Sequence, residues 1–260
     1  MRKTQRILRS NRNNIVRQVP GQIPSLILLV LCLSAGAVSG SAQNARAPEN
    51  AIKQANKSSA ALERALANAN ERIPKALLDK AMAVAVLPDV KKVSMIFEGA
   101  GVGRGVVARR GANGEWSPPA FIRLGALSIG PQIKSMDFDV IVLFMNEQAA
   151  GWLLDDKAVI FDRAKAPVAG PVGEIRTEDK QVVPVADVFA YVFEDNHLKG
   201  KDLKNIFKNF GFSYDNDLNK ATYNVKAGAV LSGDKAKITR LPAEVMVFTE
   251  TVKRLFNGAS

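Results

Sequence analysis

The chain holds one cysteine, Cys32, and one histidine, His197. A zinc site of the usual kind, a disulfide framework and a Cys–His dyad each need more of these residues than that. Carboxylates come next. Asp137, Asp139, Asp155 and Asp156 are of the type that divides acid and base work, but their spacing singles out no pair, and turn or cap roles are far commoner for such residues. Asp215-Asn-Asp217-Leu-Asn219 opens like a calcium loop. It departs where such a loop is decided: position six is Lys220 instead of Gly, and position twelve is Lys226 instead of Glu. These carboxylates read as helix-capping chemistry, and His197, beside Asp195 and Asn196, reads as a surface residue of a polar turn. No catalytic constellation, metal-ligand set or cofactor motif emerges, and the expectation is a protein that is not an enzyme.

Two stretches remain that could bind something. Gly99, Gly101, Gly103 and Gly105 alternate with Ala100, Val102 and Arg104, and fit neither the dinucleotide fingerprint nor the phosphate loop. In an extended strand the four glycines share one bare face, suited either to close internal packing or to a ligand groove. Further on, Lys201, Lys204 and Lys208 recur at helical spacing with Leu203, Phe207 and Phe210. A basic amphipathic segment of this kind either lies on a membrane, lysines on anionic headgroups and aromatics in the acyl boundary, or buries its aromatics in a core. Arg104, Arg109 and Arg110 offer a second basic cluster.

The elements that must position these residues follow from patterning. An apolar content of 47 % with 23 % charged residues among 260 is that of a globular chain and excludes a mainly disordered one. Residues 1–42 read as a secretory signal: Arg2, Lys3, Arg6, Arg9, Arg12 and Arg17 without an acid, an apolar run from Ile23 to Leu33, and small residues up to Ala42. That signal carries six basic residues and Cys32. The remaining 218 residues hold 30 basic and 25 acidic side chains, so the charge falls from +11 to +5, too little to point to nucleic acid. An exported protein is expected, periplasmic or secreted.

Residues 43–48 read as a flexible lead to a single domain over 49–260. From Glu49 to Arg72 there is no Gly or Pro, and Ile52, Ala55, Ser59, Leu62, Leu66 and Ala69 form an apolar stripe, which predicts a long helix. Lys75 to Met82 follows Pro74 as a short one. Strands are expected at 83–87, 93–97, 102–109, 120–124, 138–144, 158–161 and 185–193, with turns at Pro88-Asp89, Gly111 to Gly114 and Pro118-Pro119. Glu147 to Leu154 reads as a helix, Lys201 to Tyr223 as mixed helical, and Ala243 to Phe256 as a last helix after Pro242. The fold class is α+β: a mainly antiparallel, barrel-like sheet packed with N-terminal and C-terminal helices.

Several motifs in order, over about residues 73–223, resemble the SYLF-domain family of lipid-binding proteins. They are Ile73-Pro74, Ala83-Val-Ala-Val-Leu-Pro88, Gly99 to Gly105, Trp116-Ser-Pro-Pro-Ala-Phe121, Gly130-Pro-Gln-Ile133, Asp139-Val-Ile-Val-Leu-Phe-Met-Asn146 and Gly170-Pro-Val-Gly173. Tyr191, Asn219 and Tyr223 also fit its pattern, whereas Asn196-His-Leu-Lys-Gly200 and Lys134 depart from it. The resemblance implies a lipid-interacting module, phosphoinositide-binding in eukaryotic members, some of which also associate with actin. An exported chain meets neither of those cytosolic partners, so the general lipid-surface property is what carries over. The family's use of an N-terminal amphipathic helix in membrane contact points to Lys53, Lys57 and Arg64. The functional expectation is a peripheral binder of anionic lipid or amphiphile at the cell envelope; the alternative is a structural or protein-binding envelope module without a lipid ligand.

Overall fold

Phe138 to Phe144, apolar almost throughout, runs through the middle of a large sheet with both faces covered. In the computed structural model the described residues are 38–67, 73–94, 99–124, 128–129, 137–161, 168–169, 177–178, 181–182, 184, 186–198, 210–234 and 236–256. In chain order the elements begin with helices α1 (Val38–Ala67) and α2 (Lys75–Lys80) and strands β1 (Ala83–Ser94), β2 (Gly99–Val102), β3 (Arg104–Arg109), β4 (Ala120–Leu124), β5 (Ser128–Ile129) and β6 (Asp137–Phe144). Helix α3 (Glu147–Gly151) runs on into a 3-10 turn, Trp152–Leu154. There follow β7 (Val159–Phe161), β8 (Val168–Ala169), β9 (Thr177–Glu178), β10 (Gln181–Val182), β11 (Val188–Glu194), β12 (His197–Leu198) and β13 (Phe210–Tyr214). The chain closes with α4 (Asn216–Tyr223), α5 (Ala227–Leu231), a 3-10 turn Ala243–Met246 and α6 (Val247–Phe256).

The sheet runs β12-β11-β6-β1-β3-β4-β13-β7, every neighbouring pair antiparallel, and curls into a half-barrel with helices packed around it. The protein is thus a single α+β domain of the expected class. Val140 to Leu143 of β6 and Ala190 to Val192 of β11 are fully buried. These runs do not alternate, as expected of strands covered on both faces. Among the described residues every core side chain lies between Ala51 and Phe256, so the compact unit Gln43–Ser260 holds a hydrophobic core of its own, the condition for folding by itself.

Two connections differ from expectation. Pro88-Asp89 is not a turn between two strands, because β1 passes through it as one twelve-residue strand. Against β6, Leu87 pairs with Val140 and Val90 with Phe138; against β3 and β2, Val86 pairs with Val106 and Lys91 with Val102. On both sides β1 carries one residue more than its neighbour, a bulge that bends the strand and sharpens the twist. Asp89 adopts φ 50°, a region that Asp tolerates better than most residues. It is held there by its amide, which donates to Asp139 Oδ1 at 2.9 Å, and by Lys57 on its carboxylate. That ammonium holds the Asp89 carboxyl below its usual range. The second difference is at residues 43–48, which belong to α1 and are not a flexible lead. Ser41 to Ala47 contains no Gly or Pro and three alanines, which favours helix, and α1 runs through Pro48 despite the lost amide donor and the crowding of its ring against the preceding turn.

On α1 the buried residues are mostly small, Ala51, Ala55, Ser58, Ser59, Ala61 and Ala65 with Leu62, which lets the helix axis approach the sheet closely. Ile52 and Leu66 flank that stripe, half-buried. At the far end of the sheet, Asp195 and Asn196 both have positive φ, 50° and 62°, giving the two-residue hairpin turn whose twist matches its strands. His197, the first residue of β12, is exposed as read.

Candidate functional site

The charged residues singled out from the sequence are dispersed. Lys201, Lys204, Phe207 and Lys208 lie outside the described residues. Phe210 is not on their helical face, because it belongs to β13 and pairs with Phe161. The reason is local: Phe210-Gly-Phe-Ser-Tyr214 alternates aromatic and small residues with the period of a strand. Of the three cations expected at a membrane from α1, two are turned onto the sheet. Lys57 pairs with Asp89, and Arg64 Nη2 donates to Asp139 Oδ2 at 2.8 Å. Lys53 is exposed. Arg104, Arg109 and Arg110 do not form one cluster, since Arg104 sits at the opposite end of β3, roughly 17 Å along the strand. Arg104 is exposed, whereas Arg109 and Arg110 are half-buried.

Gly105 settles its own part of the glycine face. A Cβ there would stand 2.2 Å from the Val86 carbonyl oxygen and 3.0 Å from Leu87 Cα, so this glycine admits the bulged backbone of β1 and no ligand. At Gly103 a Cβ would meet a Val90 methyl at 3.1 Å. Gly99 and Gly101 pair with Ser94 and Lys92 on β1. The carboxylates likewise have structural duties. Asp137 pairs with Lys91, Asp155 ends the 3-10 turn after α3, and Asp156 Oδ1 accepts the Gly228 amide at 2.8 Å. Asp215 caps α4 through the Leu218 amide and receives Arg123 through Nε at 2.7 Å and Nη2 at 2.5 Å, which raises the Arg123 pKa. Among the described residues, no group of three or more His, Cys, Asp and Glu could hold a metal ion.

The structure instead assembles a cleft that the sequence does not announce. It has a volume of about 620 Å³ and opens between the turn that joins β3 to β4, the end of α5, the chain leading to the last 3-10 turn, and α6. Its apolar lining is Trp116, Pro118, Leu231, Ile238, Leu241 and Met246. Interspersed with these are Arg109, Asn113, Glu115, Ser117, Ser232 and Lys253. Leu241 is 47 % exposed and Trp116 only 5 %.

Local chemistry holds Trp116 firmly. Phe256 of α6 meets the indole edge-on at 5.5 Å, and the Arg110 guanidinium lies over the ring at 4.9 Å. Arg110 also donates to the Asp79 carbonyl at 3.0 Å, and its burial lowers its pKa. The segment after Trp116 is pinned from the C-terminal helices. Thr249 Oγ1 donates to Ser117 O at 3.0 Å, and Tyr223 Oη to Pro119 O at 2.7 Å. Asn219 accepts the Phe121 amide at 2.9 Å and donates to the Phe121 carbonyl at 2.9 Å.

Within this well-bonded frame two donors of the cleft residues stand without acceptors. Trp116 Nε1 and Arg109 Nε are buried and have no hydrogen-bond partner, although Arg109 Nη2 is 2.8 Å from Glu147 Oε2. A buried donor left unpaired costs about 1–3 kcal/mol, and both atoms are enclosed by protein. Tyr191 Oη, which also has no partner, is fully enclosed in the core, and burial raises its pKa. No described helix is long and apolar enough to cross a membrane. Compared with known proteins, the chain matches no family model and no curated protein.

Proposed function

We propose that this is a non-catalytic, exported lipid-binding protein of the SYLF type, which takes an anionic lipid or amphiphile at a membrane surface of the cell envelope. The observation that carries the reading is the cleft beside Trp116, whose lining combines apolar side chains with Arg109 and Lys253. A charged head and a greasy tail are the two halves of one ligand that such a lining suits. The ordered family motifs support it independently: in Trp116-Ser-Pro-Pro-Ala-Phe121, Pro119 and Phe121 are held by Tyr223 and Asn219, which are separate in the sequence.

The test is co-sedimentation of residues 43–260 with neutral and anionic liposomes at low and high salt. Binding to anionic liposomes alone, weakened by salt, is expected; no binding to either refutes the reading. Each lysine at an anionic surface contributes about 1 kcal/mol, so a Lys201→Glu, Lys204→Glu, Lys208→Glu variant should lose on the order of 100-fold in vesicle affinity. Unchanged binding removes those lysines from the membrane contact. The second reading, a protein-binding envelope module, is favoured by the exposed Ile160 on the short terminal strand β7. Salt-insensitive capture of a protein partner without vesicle binding would select it.

A further inference from the structure

We infer that the cleft beside Trp116 holds the alkyl chain of a single-chain amphiphile and leaves its head in the surrounding water, so that the cleft does not sense the sign of the head's charge. The inference rests on the amphiphile reading and deepens it: the cleft selects the chain, and preference for an anionic surface belongs to basic residues outside it.

The polar groups of the lining carry the argument, because the protein itself already engages them. Arg109 Nη2 donates to Glu147 at 2.8 Å and Lys253 to Glu250 at 2.9 Å, so neither cation awaits an anionic head. Asn113 takes the Glu115 amide on Oδ1 and donates through Nδ2 to the Glu115 carboxylate. Ser117 Oγ accepts the Arg109 amide and donates to Pro118 O; Ser232 Oγ accepts the Asp234 amide and donates to Ala229 O. The two donors without acceptors, Trp116 Nε1 and Arg109 Nε, are enclosed by protein and offer a ligand nothing. A polar group brought into the cleft would therefore give up its hydrogen bonds to water and gain none in return. A peptide, with an amide donor and acceptor at nearly every residue, is disfavoured on the same ground.

An alkyl chain carries no such groups, and what the cleft offers it is apolar surface. Trp116, Leu231, Ile238, Leu241 and Met246 supply that surface, and Leu241 is 47 % exposed. The volume of about 620 Å³ lies within the roughly 300–1,000 Å³ of small-molecule sites, room for one chain. Lys253 lines the cleft with its side chain 43 % exposed, and marks the side on which the head stays hydrated.

Trp116 and Met246 report occupancy by NMR. In residues 43–260 the indole N–H signals of Trp116 and Trp152 are told apart with Trp152→Phe, and the Met246 methyl is assigned with Met246→Leu. Octanol, octanoate and octyltrimethylammonium, and the decyl member of each series, are added at neutral pH below their micelle concentrations. Both signals should move saturably in all three series. Binding should tighten about fourfold per added methylene, and the three heads at equal chain length should differ by less than that factor. Leu241→Ser, at an exposed position the fold can spare, should weaken binding about fivefold to tenfold. Ile160→Ser, at the exposed residue of β7, should leave it unchanged.

Signals that stay in place with octanol and decanol overturn the proposal, as does a preference for either charged head that exceeds the gain from one methylene. Equal weakening by Ile160→Ser would mean adsorption to any exposed apolar side chain and overturns it too. If Trp152→Phe does not fold, the Met246 methyl carries the test alone. The liposome experiment separates the two levels. Binding to anionic liposomes with Trp116 and Met246 unmoved by the amphiphiles overturns this inference and leaves the lipid reading standing. Saturable movement in all three series without liposome binding upholds the cleft and refutes the membrane reading.

Discussion

Asn219 is the residue whose replacement tests most of the structural reasoning at once. Strand β13 pairs with β4 only as far as Tyr214 opposite Ile122, and the Asp215 amide then donates to Phe121 O at 2.9 Å as the chain turns into α4. Beyond that point β4 would present an unpaired Phe121 amide. Asn219, fully buried, supplies the missing strand partner with a side chain: Oδ1 accepts from Phe121 N, while Nδ2 donates to Phe121 O and, at 3.0 Å, to Asp215 O. Asn219→Ala removes three hydrogen bonds at about 1 kcal/mol each and orphans a buried amide, so a loss of about 3–4 kcal/mol is expected. That is a large share of the roughly 5–15 kcal/mol of a typical domain.

Asn219→Asp sharpens the test, because it keeps the acceptor and aims its second oxygen at two carbonyls. Protonated, that oxygen can donate, so the folded state raises the carboxyl's pKa above its unfolded value near 4. Stability relative to wild type is therefore retained below about pH 4. It falls by about 1.4 kcal/mol per pH unit as pH rises toward the folded pKa. Urea unfolding followed by circular dichroism at pH 4 and pH 7 reads both variants against wild type. An alanine variant that loses less than about 1 kcal/mol, or an aspartate variant with the same deficit at both pH values, refutes the strand-partner reasoning.

All three tyrosines of the chain, Tyr191, Tyr214 and Tyr223, have pKa values raised by burial above the ordinary 10.0. Their neutral forms therefore stabilise the fold fully below about pH 10, and that contribution is lost as pH rises toward the raised values. Tyrosinate absorbance should appear in one step together with loss of the circular dichroism signal; ordinary titration of any of the three near pH 10 would contradict their placement. Gly105→Ala should cost at least the upper end of roughly 1–3 kcal/mol, because its Cβ would strike the Val86 carbonyl; urea unfolding that finds Gly103→Ala as harmful would argue against the bulge contact. At the bulge, Asp89→Gly should be about 1 kcal/mol more stable than Asp89→Ala, since both lose Lys57 but only alanine is strained at φ 50°. Equal melting temperatures would contradict the left-handed backbone there.

Where local chemistry decides an element, the sequence announces it. Strand β4 begins after Pro118-Pro119, the last helical stretch begins after Pro242, and the unbroken apolar run of β6 places it in the sheet's interior. Pro88-Asp89 misleads because the same residues suit a turn or a bulge, and only continuous partners on both sides select the bulge. Phe210 misleads because lysines at helical spacing precede a strand whose period two is carried by only five residues. Charge along α1 is legible, but whether Lys57 and Arg64 face a membrane or the sheet depends on Asp89 and Asp139, which no helical pattern contains. The cleft is illegible for a related reason. Arg109 and Trp116 meet Leu241 and Lys253 across more than 100 residues of chain, and an unpaired donor is a property of surroundings, not of a motif.

The bonds that fix the cleft wall also set an order in time. Phe121, Pro119 and Ser117 are fastened by residues 98, 104 and 132 positions later. Such long closures are entropically slow to form. During synthesis the strands through β6 can pair while Trp116 still lacks Phe256, Thr249 and one whole side of its cleft. Nascent or prematurely ended chains would therefore carry part of the sheet without a complete cleft, and closure of the cleft becomes a report that the last helix has docked.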